Sequence, residues 1–221
     1  MLTALTPDLF TATTTMRFFG MVLPIRMVVV RLPDGSLALV SPIPMDDALA
    51  AEVAALGPVR ALVGPNLLHH LSLGPARERF PGATLLGAPG LAAKRPDLRI
   101  DGELIAAPWG DALSAHLVAG APGINEVVLH HAASGTLITA DLVFNIVTPA
   151  NLWSAALLAI VGTRGRLAKS REWWRLVKDK AAFNQSLDHI LALPFDRVTM
   201  AHGEVVEANG SAEMARIFGR A

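Results

Sequence analysis

The sequence predicts a layered α/β domain in which helices lie outside paired sheets. Three observations carry this prediction. Short apolar runs bounded by turn residues recur along the first part of the chain. Helical spacing of apolar residues appears between those runs and takes over from Asn151. The runs "VRALVG" and "DRVTMAHG" are apolar without strict alternation, the pattern of strands covered on both faces. Buried strands in mixed order with helices pack best as layers.

Taken in order, "MVVVRL", "PDG" and "SLALVSPI" read as a hairpin with Asp34-Gly35 at its turn. Residues 44–56 carry apolar side chains at helical spacing, with Asp46 and Asp47 near the start, where they suit the helix dipole. Gly57-Pro58 closes that helix, and the strand "VRALVG" follows. A Pro-Asn-Leu-Leu-His-His corner then leads into a short helix ending near Phe80. "ATLLGAPG" is a further strand and turn, and 92–104 form a polar connector. "SAHLVAG", "NEVVLHHA" and "GTLITADLVFNI" read as three consecutive strands, with Ser134-Gly135 turning between the last two. Helices resume with "NLWSAALLAIVG", a basic connector "TRGRLAKS", and one helical section over 171–193 that Pro194 ends. A last buried strand and the helix "SAEMARIF" complete the chain. There is no low-complexity segment, internal repeat or linker. A single domain over 1–221 is expected, with a helical insert at about 150–193.

Composition excludes several function classes. Of 221 residues, 52% are apolar and only 17% charged, and mean hydropathy is +0.43. A typical soluble domain is about 25% charged, so part of this surface is expected to serve as an interface, and a homodimer is one use for it. The 19 basic and 19 acidic residues balance, which removes long-range attraction to a polyanion; no nucleic-acid partner is expected. Without cysteine there are no disulfides, thiolate ligands or thiol nucleophiles, and a metal must be held by His, Asp, Glu or backbone oxygen. The N-terminal residues lack the basic start and apolar core of a secretory signal, and the apolar stretch at 152–162 is too short to span a bilayer, so a cytoplasmic protein is expected.

Four places set metal-capable side chains at the ends of apolar strands: His69-His70, Glu126, Asp141 and His202. A strand end fixes a side chain while the following loop opens a cleft. Taken singly, each has a plain structural alternative. A His-His pair is more often a satisfied polar corner, and an Asp there can cap the next segment. Asn66 either bonds the corner's backbone or meets substrate, the backbone role being favoured. His116 is a further candidate, and His130, His131 and His189 are read as structural or solvent-facing.

The order "LVGPNLLHH", "GAPGINEVVLHHAASGTLITADLVFNI", "DRVTMAHGEVV" resembles the metallo-β-lactamase superfamily. It is closer still to a divergent branch marked by "RMxVVRLxDGxLxxxSPI", "PNxxHH", "TLIxxD" and "AHG". The resemblance implies a four-layer αββα sandwich with a metal site at the sheet edges. It also implies that Asp141 is the bridging carboxylate and His202 the last ligand, with Pro122-Gly123 in the middle motif. The family's first motif, His-x-His-x-Asp-His, laid over this chain falls on Pro65, Leu67, His69 and His70, and the middle-motif His falls on Gly120. The three-histidine half is thus missing.

What remains is a reduced site of His69, His70, Asp141 and His202, suited to one divalent ion, with zinc first and iron or manganese as alternatives. Glu126 is outside the usual ligand set and is read as a ligand, an orienting partner or a general base. With Asp141 it is the candidate catalytic pair. Asn66, His116 and Glu126 are the candidates for supporting the ligands or meeting substrate. The resemblance implies a metal-dependent hydrolase, and the apolar corner (Leu67, Leu68, Leu71) with Phe144 suggests a hydrophobic ester or lactone as small-molecule substrate. The alternative is a fold that has lost the reaction and serves as a scaffold or small-ligand binder, with or without metal. The Trp-bearing helical region is read as a lid or dimer face. An interfacial helix on anionic lipid is the sharper alternative, and membrane contact is not expected.

Overall fold

A computed structural model describes residues 1–220. Its large sheet begins as an antiparallel meander of β1 (Thr3–Thr6), β2 (Leu9–Phe18), β3 (Met21–Arg31) and β4 (Leu37–Val40). The β3–β4 turn is the expected one: Asp34 Oδ1 accepts from Ser36 N at 2.9 Å and from Ser36 Oγ at 2.6 Å. Three parallel strands extend the sheet: β5 (Val59–Gly64), β6 (Thr84–Gly87) and β7 (Gly102–Glu103). Parallel neighbours need crossovers, supplied by α1 (Asp47–Leu56), α2 (Leu73–Arg79) and α3 (Leu91–Lys94). Asp46 caps α1 by accepting from Leu49 N, so the acidic start serves the helix terminus directly.

The second sheet contains β8 (Leu113–Leu117), β9 (Val127–His131) and β10 (Thr136–Ile138). A small antiparallel pair, β11 (Phe144–Asn145) and β12 (Leu167–Ala168), stands apart, and β13 (Arg197–Thr199) joins β10 in parallel to give the order β13-β10-β9-β8. Alternation along the strands sorts side chains into three layers of core. Val28, Val30, Ala38, Val40, Ala61, Val63 and Leu86 meet Leu113, Val127, Leu129 and Ile138 between the sheets. Met27, Val29, Leu39, Leu62 and Leu85 point the other way, onto Leu49 and Val53 of α1, Leu73 of α2 and Leu91 of α3. Val128, Leu137 and Val198 carry the outer face of the second sheet to two more helices, α6 (Lys180–Leu191) and α7 (Gly210–Phe218), through Phe183, Leu187, Ile190, Met214 and Phe218. The result is the expected αββα sandwich, and coverage on both faces explains the unbroken apolar strands.

Three local expectations change. The section 171–193 is two helices, α5 (Arg171–Leu176) and α6, because Asp179 caps α6 by accepting from Ala181 N and Ala182 N. Within 150–193, α4 (Leu152–Val161) lies along the β2–β3 hairpin, where Leu158 packs with Met21, Leu23 and Ile146, whereas α6 is part of the outer helix layer. The basic connector contains β12. For His130 and His131 the structural reading holds: both are buried, with His130 Nε2 3.1 Å from Pro194 O and His131 Nδ1 2.7 Å from Ser134 Oγ.

Candidate metal centre

The ends of β4, β5, β10 and β13 converge at one edge of the sandwich. After β5 the chain turns on Asn66, which is fully buried. Its Oδ1 accepts from Leu68 N and His69 N, both at 2.8 Å, which winds the corner and turns the His69 imidazole inward. Its Nδ2 donates to Asp141 Oδ2 at 2.8 Å and to Glu126 Oε2 at 3.3 Å. Asn66 therefore fills both the backbone role and one beside the ligands.

Asp141 follows β10 and lies between two imidazoles. His69 Nε2 is 3.2 Å from Oδ2 and His202 Nε2 is 3.2 Å from Oδ1. One donor atom from each of His69, Asp141 and His202 falls within 4.8 Å of the others. The far side of each ring is also engaged. His202 Nδ1 is 2.7 Å from Pro24 O and His69 Nδ1 is 2.6 Å from Ser41 Oγ. A carbonyl only accepts, so His202 carries a proton on Nδ1, and Nε2 is the ring atom turned toward Asp141 and placed to meet an ion. Ser41 has φ 52, a left-handed conformation rare for serine, and this strain sits beside the site.

The structure corrects the expected ligand set at His70. Its Nδ1 faces Arg95 Nη1 at 2.9 Å, and Arg95 Nη1 also donates to His70 O at 3.1 Å. Burial, then Lys94 and Arg95, lowers the His70 pKa. It lines the cavity but stands outside the His69–Asp141–His202 cluster. His116 also lies elsewhere: it contacts Ser114 Oγ at 2.8 Å and His189 Nε2 at 3.1 Å, near α6.

Glu126 is buried beneath the cluster. Its Oε1 accepts from Ala140 N at 2.8 Å and Leu142 N at 3.1 Å, and its Oε2 from Asp141 N at 2.8 Å. Both oxygens are thus taken up by the Asp141 loop, with Oε2 also near Asn66 Nδ2, an arrangement that fixes the loop beneath the cluster. Burial, then the charge of Asp141, raises its carboxyl to about 7, while the three amides pull the other way. Burial would also raise Asp141, but the charge of His69 and the hydrogen bonds of both imidazoles hold it well below the usual carboxylate range. His69 is the mirror case. Burial lowers it, yet the charge and hydrogen bond of Asp141 leave it raised.

The cluster opens on a cavity of about 400 Å³ lined mainly by apolar side chains, among them Met16, Met21, Leu23, Phe144, Leu158 and Trp173. Phe144 stacks on His202 with ring centroids 5.2 Å apart.

The model of the family described as "Domain of unknown function (DUF4336)" matches residues 9–160. The chain belongs to that family. Among solved structures this DUF4336 chain resembles metallo-β-lactamases along its whole length. A metallo-β-lactamase from Pontibacter korlensis is 14% identical with a TM-score of 0.65, covering 97% of this chain and 96% of that one. One from Erythrobacter litoralis is 14% identical with a TM-score of 0.66, covering 100% and 96%. FIM-1 from Pseudomonas aeruginosa, solved in a mono-zinc form, is 14% identical with a TM-score of 0.63, covering 100% and 95%. At such identities the likeness establishes the fold. No curated protein matches in sequence.

The position laid on the family's middle-motif His has no room for a side chain. Gly120 has φ +81, and a Cβ there would collide with Asp179 O. Lys178 N and Asp179 N both donate to Gly120 O. The turn between α5 and α6 thus occupies the space a side chain at Gly120 would need. Ser41 and the Pro24 carbonyl are parts of the site that the sequence did not mark; the serine of "SPI", directly after the hairpin, was the available signal.

Proposed function

We propose that the protein is a metal-dependent hydrolase with a single-ion site, acting on a small hydrophobic ester or lactone. The observation that carries this is the opening of a His69–Asp141–His202 cluster onto a mainly apolar cavity. Two imidazoles with their outer nitrogens engaged and one buried carboxylate suit zinc, with iron(II) or manganese as alternatives. Bound there, such an ion supplies Lewis acidity to the cavity.

The chain's own residues supply the rest. Asn66 and Glu126 fix Asp141, Ser41 and Pro24 O fix the rings, and the apolar wall favours a hydrophobic substrate. Asp141, held ionised by the two imidazoles, is the negative charge that would face a bound ion. The mono-zinc FIM-1 is a precedent for one ion in this fold.

The test is hydrolysis of a panel of aliphatic and aryl esters and lactones by zinc-, manganese- and iron-loaded protein. Turnover that disappears on chelation and in Asp141→Asn supports the reading, and turnover independent of both refutes it. A second reading, a non-catalytic scaffold, is favoured by the absence of any metal-capable side chain at Pro65, Leu67 and Gly120. Stoichiometric zinc without turnover on the panel would favour it.

A further inference from the structure

We propose that α4 and the tip of the β2–β3 hairpin dock on an anionic lipid surface beside the mouth of the apolar cavity. Every exposed position of α4 is apolar: Leu152, Trp153, Ala156, Ala159 and Ile160, spaced along one face. The opposite face, with Ser154, Ala155 and Leu158, is buried. A helix apolar all round is normally covered on all sides, yet Leu152 is 89% exposed and Trp153 57%.

The hairpin tip adjoins this face. Trp153 Nε1 donates to Phe19 O at 3.3 Å, and Ser154 Oγ accepts from Val22 N at 3.0 Å. The turn has Phe19 at φ 47 and Gly20 at φ 75, the backbone of a tight hairpin turn that favours Asn-Gly. Phenylalanine at the first of these positions is strained and 83% exposed, with its ring meeting the Phe18 ring edge-to-face at 4.6 Å.

Charge selects the occupant. Residues 9–33 and 142–171, which form the hairpin and the α4 region, contain no Asp or Glu. Arg17 is exposed beside the tip, Arg164 and Arg166 are exposed in the turn after α4, and Arg171 Nη1 donates to Ile160 O at 3.1 Å. Two copies meeting through this face would oppose like charges. An anionic bilayer surface instead receives aromatic and aliphatic side chains with basic ones beside them. Phe18, Met21, Leu158 and Val161 also line the cavity, so the face is continuous with its wall.

The test is flotation of the full chain with phosphatidylcholine vesicles with and without phosphatidylglycerol, at low and high salt, alongside its mass in solution. The expected result is a monomer that floats with the anionic vesicles, and does so less at high salt. Phe19→Asn should fold at least as stably as the parent yet float poorly. Leu152→Ser with Trp153→Ser should lose flotation, and Arg164→Gln with Arg166→Gln should weaken partitioning roughly tenfold or more. Asp141→Asn, with its surface intact, should float as the parent does, so this result is independent of hydrolysis. No flotation with anionic vesicles overturns the proposal, as do undiminished flotation of the surface variants and a dimer that buries Trp153.

Discussion

Asn66→Asp changes one NH2 into oxygen and leaves the shape of the corner intact. Oδ1 still accepts from Leu68 N and His69 N, so the turn itself survives. The other atom now faces Asp141 Oδ2, formerly 2.8 Å from a donor, and Glu126 Oε2, formerly 3.3 Å away. A hydrogen bond to a charged group contributes about 1.5–3 kcal/mol, and the longer contact sits at or below the low end. Loss of both, with a third carboxyl placed against two others, should cost about 3–5 kcal/mol, a large part of a total stability of about 5–15 kcal/mol. The new carboxyl sits among like charges and its folded pKa must rise. Its protonated form restores one donor, so the loss should be small in mild acid and grow as pH rises through that folded value. Urea unfolding of metal-free parent and variant across this range, with unchanged m-values, measures the difference. A variant as stable as the parent at pH 8, or a deficit that does not change with pH, would refute this account of Asn66.

Other perturbations test separate parts of the structure. Gly120→Ala should lower stability by several kcal/mol and loosen the start of α6, read as a fall in thermal midpoint, because both the positive φ and Asp179 O oppose a side chain. Ser41→Ala removes the 2.6 Å partner of His69 Nδ1 and should weaken zinc binding roughly 10–100-fold by competition with a chelating dye, with the fold retained. Asp101 accepts from Leu85 N at 2.9 Å, and that bond, then Arg77, lowers its pKa. Its contribution is present above the unfolded carboxyl pKa and lost as pH falls through the lowered folded value, so Asp101→Asn should flatten the acid limb of a stability–pH curve. Phe183→Ala, in the layer between α6 and the second sheet, should cost about 3–5 kcal/mol in denaturant unfolding.

The parts of the fold legible in the sequence were those whose pattern follows from burial alone. "VRALVG" reads as a covered strand because a half-exposed strand would have alternated, and Asp46 announces α1 because its carboxylate bonds locally. The Thr-rich β2 gave no such signal, since half of it faces solvent and its pairing with β3 is a tertiary matter. The break before α6 was hidden for a similar reason: it depends on Lys178 N and Asp179 N finding Gly120 O, far away in sequence. At the site, strand ends marked Asp141, His202 and the histidine corner. The choice between His69 and His70 was not legible, because it depends on how Asn66 winds the turn and on where Arg95 lies.

The grip of Glu126 on the amides of Ala140, Asp141 and Leu142 ties the central carboxylate to the interior of the sandwich and not to any ion. The cradle is therefore assembled when the polypeptide folds, and its ordering cost is met then. Binding and release of an ion there would be local events, with no collapse of the surrounding layers. Occupancy of such a protein would track the metal supply and acidity around it.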